Sequence, residues 1–154
     1  MTPRWVMGWT FWLAMTATAV SAYLTIAHFT TPNLLACSAS GTINCARVTT
    51  SAQSRVVGIP VALLGLVWSI AMLGLCSPVA WNTRARWIKP TRLTLVCIGM
   101  LSVLWLVYAE LFIIRAICLW CSAMHAVTFA LFALLAPFGW MDETEGDIPA
   151  GQSL

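Results

Sequence analysis

Four long stretches of mostly apolar residues alternate with shorter polar segments along the chain. They run from about Trp5 to Phe29, Gly58 to Cys76, Leu93 to Ile114, and Ile117 to Phe138. A helix needs about 20 apolar residues to cross a bilayer, because each backbone polar group must be paired internally where water is excluded. The pattern predicts an all-α integral membrane protein, a four-helix bundle over residues 1–138 with a loop at 30–57 between helices 1 and 2.

Composition supports this prediction. Apolar types make up 60% and charged types 8% of the 154 residues, whereas an ordinary soluble domain has about 25% charged residues. So few polar groups do not coat a soluble core of this size. The net charge of +3 is modest and is not gathered on one face, which argues against nucleic acid as a partner.

The distribution of Lys and Arg predicts the orientation of the bundle. The link between the second and third spans carries Arg84, Arg86, Lys89 and Arg92. The longer first loop holds only Arg47 and Arg55. Cytoplasmic loops carry the excess of basic residues, so we expect both termini in the cytoplasm and the 30–57 loop outside.

The two ends of the chain add one expectation and one alternative. Residues 139–154 carry the acidic Asp142, Glu143, Glu145 and Asp147 and are expected to form a flexible cytoplasmic tail. The N-terminus also has features of a cleaved secretory signal, with the small residues Val20 to Ala22 before a mature start at Tyr23. Against cleavage, apolar residues continue to Phe29.

Two cysteine pairs carry the candidate chemistry. Cys118 and Cys121 lie three residues apart where the fourth span begins, so they share a helix face, and the helix N-terminus stabilises a thiolate at Cys118. Two apolar cysteines in a lipid-facing helix, or half of a zinc site, are the alternatives. Zinc usually needs four ligands, and His28 and His125 offer no second close pair, so no metal is expected.

The second pair lies in the outer loop. Cys37 and Cys45 flank seven small or polar residues that can fold back and bring the sulfurs together. A disulfide here would contribute roughly 2.6 kcal/mol through loop closure, and its role could be purely structural. Disulfides persist on the oxidising face, so two pairs there indicate electron transfer between thiols and a lipid-soluble acceptor. Cys76 and Cys97, near the cytoplasmic ends of their spans, are expected to be buried, reduced cysteines.

Together these residues resemble a known family. The motifs are the two loop cysteines, the run Cys45-Ala46-Arg47-Val48 with Ser51, the Gly58-Ile59-Pro60 element, and Cys118-Leu119-Trp120-Cys121. Their order and spacing are similar to those of the vitamin K epoxide reductase family, and the Gly-Ile-Pro element looks more like its bacterial branch.

The resemblance implies a four-helix bundle around a quinone of the menaquinone, ubiquinone or vitamin K type, fed with electrons by an extracytoplasmic thioredoxin-fold protein. It implies that Cys37 meets this partner and that Cys45 forms a transient disulfide with Cys118. Cys121 would then face the quinone. Ser51 matches the family's serine near the quinone, and Arg47 matches a family arginine or is a solvated loop charge.

Three further residues are candidate quinone contacts. Glu110 is ionisable within a span, which marks a functional position by default; it relays protons or reaches the headgroup layer. His125, one turn beyond Cys121, hydrogen-bonds a quinone carbonyl or packs between helices. Trp120, between the two cysteines, is expected to wall the pocket.

Departures from the family pattern narrow the function. His125 stands where animal relatives that reduce vitamin K have a tyrosine, and Val61 stands in place of their pocket asparagine. The chain stops at Leu154 with no fused thioredoxin-like domain, so a separate partner is expected. We expect an enzyme, a membrane thiol:quinone oxidoreductase that reoxidises a thioredoxin-fold disulfide-forming protein. The alternatives are vitamin K epoxide or quinone reduction proper, and a noncatalytic membrane scaffold with a structural loop disulfide.

Overall fold

A computed structural model of the chain describes residues 4–30, 37, 42–83 and 85–140, with side chains to residue 137. The helices in these ranges are α1 Arg4–Phe29, α2 Cys45–Thr49, α3 Val61–Leu75, α4 Pro78–Asn82, α5 Ile88–Tyr108 and α6 Leu119–Trp140. A 3-10 turn over Ala52–Ser54 leads into a hairpin of β1 Arg55–Val56 and β2 Ile59–Pro60. A π-helical segment, Ala109–Ile114, continues α5. The tail predicted at 139–154 lies almost wholly outside the described residues.

Three segments are long and apolar enough to cross a membrane. They are Arg4–Phe29, Ile88–Ile114 and Leu119–Pro137, with 26, 27 and 19 residues. Many large apolar side chains on these helices point outward, such as Trp12, Leu101 and Phe112, as a surface facing lipid requires. The prediction of an all-α, multi-pass membrane protein is therefore confirmed.

The second apolar stretch forms a shorter helix than the predicted Gly58 to Cys76. Helix α3 has 15 residues, about 22 Å at 1.5 Å per residue, and a typical hydrocarbon core is about 30 Å thick. Val57 and Gly58 have φ of 53° and 82°, so they turn the chain, and Ile59–Pro60 pairs with β1. A fourth crossing at α3 thus stays a prediction.

Helix α1 packs against both α3 and α6, and α5 packs against α6. Ala14 and Ala17 are fully buried on α1, and small residues at an interface let helix backbones approach closely. The hydroxyl oxygens of Ser21 and Ser69 are 2.9 Å apart between α1 and α3. These contacts hold α3 and α6 against α1.

Arg92, counted above as a loop cation, is buried at the end of the bundle where α3 ends and α5 begins. Its Nη2 donates to the carbonyl oxygen of Leu75 at 2.5 Å, which pairs a carbonyl that α3 leaves without a helical partner. Its guanidinium lies 3.7 Å from the ring centroid of Trp81. Cys76 is a fully buried free thiol in this region, as expected, whereas the free Cys97 is only half-buried.

Candidate active site

A short backbone bridge joins the segment before α2 to the segment before α6. The amide of Ile117 donates to the carbonyl oxygen of Thr42 at 2.9 Å, and the amide of Asn44 donates to the carbonyl oxygen of Ile117 at 3.1 Å. Cys45 and Cys118 are the residues that follow these bridged positions. Both belong to one buried cluster, and Cys37 and Cys121 pack against it. The fold therefore brings together all four cysteines predicted from the sequence.

The loop pair is joined by a disulfide. Cys37 and Cys45 are bonded, with their Cα atoms 6.1 Å apart. Asn44 caps α2, because its Oδ1 accepts from the amide of Arg47 at 2.9 Å. Cys45, the first residue of α2, is 2% exposed, whereas Cys37 is half-buried. Residues 38–41, part of the polar run between the cysteines, lie outside the described residues.

The second pair lies at the start of α6, and both of its cysteines are free thiols. Cys118 is completely buried, immediately before the spanning helix, and Cys121 is partly buried within its first turn. The amide of Cys121 donates to Sγ of Cys118 at 3.3 Å. Hydrogen bonding from the Cys121 side chain lowers the pKa of the Cys118 thiol, although burial opposes this. This hydrogen bonding favours the thiolate form of Cys118.

A sharp reversal between α5 and α6 positions Glu110. Arg115 adopts a left-handed conformation with φ of 53°, and the amide of Ala116 donates to the carbonyl oxygen of Glu110 at 3.2 Å. The wider π-helical turn that contains Glu110 is a feature found often at functional sites. Glu110 is 6% exposed, and its side chain accepts from the amide of Cys118.

Beside the thiol pair lies a cavity of about 630 Å³. Its walls come from α1, the 48–56 segment, α3, α5 with its π-helical continuation, and α6. They are mostly apolar, with residues such as Leu24, Val48 and Leu106. Ligand pockets typically have 300–1,000 Å³ and a few polar groups in an apolar lining. The volume and lining thus suit a mostly apolar small molecule with a few polar groups.

Three of the four predicted contact residues lie on this wall, and one does not. Ser51, Glu110 and His125 line the cavity. The Ser51 hydroxyl donates to the carbonyl oxygen of Val48 at 2.7 Å, so it also holds the loop in place. Trp120 is not among the lining residues; its ring packs against Tyr23 at 4.8 Å between centroids. The geometry does not place Trp120 at the pocket wall, because its position on α6 directs the ring toward α1.

Other polar residues on the wall were not predicted from the sequence. His28 lines the cavity together with Ser21 and Leu24 of α1. The spacing of three, four and seven residues among them marks one helix face and is a signal that could have identified His28. Gln53 also lines the cavity, but it lies in an irregular loop and carries no such signal. Of the four cysteines in the two pairs, Cys121 lines the cavity.

Within the described part of the chain, no group of three or more His, Cys, Asp or Glu residues is arranged to hold a metal ion. The polar chemistry of the cavity comes instead from one carboxyl, two imidazoles, hydroxyls, an amide and a thiol.

Comparison with protein-family models gives one result for most of the chain. The model described as the vitamin K epoxide reductase family matches residues 8–136. This range includes the four cysteines and every residue of the cavity wall. Comparison with curated proteins finds no match.

Proposed function

Because the chain belongs to the vitamin K epoxide reductase family, we propose that it is a membrane thiol:quinone oxidoreductase that reoxidises a thioredoxin-fold disulfide-forming protein. Family membership supports a membrane disulfide and quinone oxidoreductase role in general. The observation that carries the specific proposal is the backbone bridge between Thr42–Asn44 and Ile117. It keeps Cys45 in the same buried cluster as Cys118, with Cys37 packed against that cluster. Cys121 lies on the cavity wall.

The relay begins at Cys37. A reduced partner attacks the sulfur that it can reach, and Cys37 is the more exposed member of the loop disulfide. Its bond to Cys45 breaks, Cys45 leaves as a thiolate, and a mixed disulfide joins the partner to Cys37. The second thiol of the partner then resolves that bond, so the partner leaves oxidised and the loop is a dithiol.

The second exchange passes the electron pair to α6. The Cys45 thiolate attacks Cys118 in the oxidised Cys118–Cys121 pair, which releases Cys121 as a thiolate. Cys37 then attacks Cys45 and displaces Cys118. The lowered pKa of Cys118 favours this step, because a thiol with a lower pKa leaves faster. The products are a loop disulfide and two thiols, those of Cys118 and Cys121.

The cavity fits a quinone, which supplies an acceptor for two electrons and two protons when bound. Cys121 is the sulfur on the wall, so electrons leave the protein there. His125 can donate a hydrogen bond to a carbonyl oxygen, and Ser51 can do so after its hydroxyl rotates away from Val48. The apolar helices exclude water and hold the ring.

Val61 lines the cavity at the start of α3 and offers no amide to an epoxide oxygen. For this reason we propose quinone reduction rather than reduction of a vitamin K epoxide. Formation of vitamin K from its epoxide by the purified, chemically reduced protein would contradict that choice.

The relay is tested with purified full-length protein, a reduced bacterial thioredoxin-fold oxidase and a short-chain quinone, by following quinone absorbance. We expect turnover with wild type, a loss of at least about 1,000-fold for Cys121→Ala because the delivering sulfur is gone, and normal turnover for the matched control Cys97→Ala. An unchanged rate for Cys121→Ala, as a noncatalytic scaffold predicts, would disprove the mechanism. In Cys45→Ala the partner should be trapped on Cys37.

A further inference from the structure

Glu110 is a buried carboxyl that the thiol relay does not use. It is the only Asp or Glu among the described residues, and it is 6% exposed. No described cation interacts with it, and the hydrogen bond it receives comes from the backbone of Cys118. An ionised carboxylate without a cationic partner is costly in apolar surroundings. The chemistry that this side chain adds is therefore the gain and loss of a proton.

Glu110 interacts with both thiols and also reaches the cavity. Glu110 interacts electrostatically with Cys118 and Cys121, and it also lines the cavity. Cys118 is 0% exposed and is not among the lining residues. A proton that leaves Cys118 thus has neither solvent nor the cavity beside it, whereas Cys121 can release its proton at the wall.

We propose that Glu110 carries the proton of Cys118 into the cavity. This inference rests on the proposed function. When the pair is oxidised, two S–H bonds break and one S–S bond forms, which releases two electrons and two protons. The neutral Glu110 carboxyl gives its proton to an acceptor oxygen in the cavity and takes the proton of Cys118 in its place, while the proton of Cys121 goes to the acceptor directly. Both electrons and both protons end on the quinone, which leaves as hydroquinone.

Other groups at this wall can also hold protons. They are Cys121 and His125 of α6 and His28 of α1. Arg115 follows the π-helical segment but its side chain is exposed. His125 lies one turn beyond Cys121, so it is the competing carrier. If His125→Gln, and not Glu110→Gln, abolishes proton delivery, the assignment to Glu110 is overturned.

The first test needs no quinone. Infrared difference spectra of the full-length protein are recorded between the Cys118–Cys121 dithiol, prepared with dithiothreitol, and the disulfide, prepared with diamide. We expect a carboxylic acid C=O signal that changes with the redox state of the pair. It should vanish in Glu110→Gln and persist in Glu143→Gln, the same chemical change in the acidic tail. A signal that persists in Glu110→Gln, or is missing in wild type, overturns the proposal.

The second test separates proton transfer from a structural role. Glu110→Gln should still accept electrons from a reduced thioredoxin-fold protein in a single turnover, because the cysteines are intact. Its reduction of a short-chain ubiquinone at neutral pH should be slower by about 100-fold or more, the usual contribution of acid–base catalysis. The pH profile of its rate should also lack the step that the wild-type profile shows. Glu110→Asp should recover part of the rate.

The outcomes of this test distinguish the two proposals. If wild type reduces no quinone, the proposed function fails. If wild type is active and Glu110→Gln matches its rate and pH profile, the proposed function stands and the role of Glu110 is refuted. If Glu110→Gln loses thiol exchange as well, and Glu110→Asp does not restore it, the carboxyl is structural and the proposal is overturned.

Discussion

At the scale of single residues, Gly99 decides how closely α3 and α5 approach. A Cβ atom placed there would lie 2.6 Å from Cζ2 and 2.8 Å from Cε2 of Trp68. The Trp68 ring is not free to move away, because its Nε1 donates to the carbonyl oxygen of Leu95 at 2.8 Å. Both Gly99 and Trp68 line the cavity, so this contact also fixes part of its shape.

We therefore expect Gly99→Ala to lower the free energy of unfolding by about 1–3 kcal/mol, the usual cost of overpacking. Thermal unfolding of the protein in detergent measures the change. Gly74→Ala is the matched control, because nothing lies within 4 Å of its added Cβ; it should leave the stability unchanged or raise it by about 0.5–1 kcal/mol. Equal stability of Gly99→Ala and wild type would show that α3 and α5 can separate without cost.

At the scale of elements, the candidate active site is built from residues at the ends of helices and in the connections between them. The loop contributes the start of α2, the chain reversal after α5 contributes Glu110 and Cys118, and the first turn of α6 contributes Cys121. The backbone bridge that joins the loop to the segment before α6 is short, with two hydrogen bonds between Thr42–Asn44 and Ile117. Because it joins residues far apart in sequence, its loss should uncouple the two cysteine pairs without unfolding the helices.

Ile117→Pro tests this bridge, since proline has no amide hydrogen to donate to Thr42. Losing an ordinary hydrogen bond costs about 0.5–1.5 kcal/mol, so the rate of Cys45–Cys118 disulfide formation should fall by roughly twofold to tenfold. The rate is followed after addition of diamide as the oxidant, by alkylation and mass spectrometry, in a Cys37→Ala, Cys121→Ala background, where Cys45 and Cys118 are the remaining cysteines of the proposed relay. Ile117→Val keeps the amide and should react like the parent; an undiminished rate for Ile117→Pro would rule out the bridge as the positioning element.

At the scale of the whole molecule, the antiparallel bundle has two chemically different ends. One end holds the four relay cysteines and the cavity. The other holds the α3–α5 connection with the exposed cations Arg86 and Lys89. The excess of basic residues in cytoplasmic loops leads us to propose that the cysteine end faces the extracytoplasmic side, where its thioredoxin-fold partner would act.

Single cysteines at exposed positions of the two ends test this orientation in a background without native cysteines. Thr50→Cys should react with a membrane-impermeant maleimide in intact bacterial cells, and Arg86→Cys should react only after permeabilisation. Both positions are exposed in the structure, so a difference in labelling reports the side of the membrane. The reverse pattern would place the cysteines in the cytoplasm and contradict the proposed partner.

The sequence by itself is enough to predict the class of protein and to single out the four cysteines of the proposed relay. The hydropathy of the first, third and fourth apolar stretches is enough to predict membrane helices, because the cost of exposing backbone to lipid depends on local composition and length. The four cysteines were identifiable from their types and spacing, which are also local. These features need no knowledge of which helix packs against which.

Only the tertiary structure decided which way individual side chains face and how the pairs meet. Lipid and the protein interior are both apolar, so hydropathy does not tell which side chains face the cavity. It does not predict that His28 lines the cavity, nor that the Trp120 ring packs against α1 instead. Nor does it reveal the shortening of α3 by a hairpin or the burial of Arg92. The bridge that holds Cys45 beside Cys118 joins Thr42–Asn44 to Ile117, and contacts between residues so far apart in sequence exist only once the helices have packed.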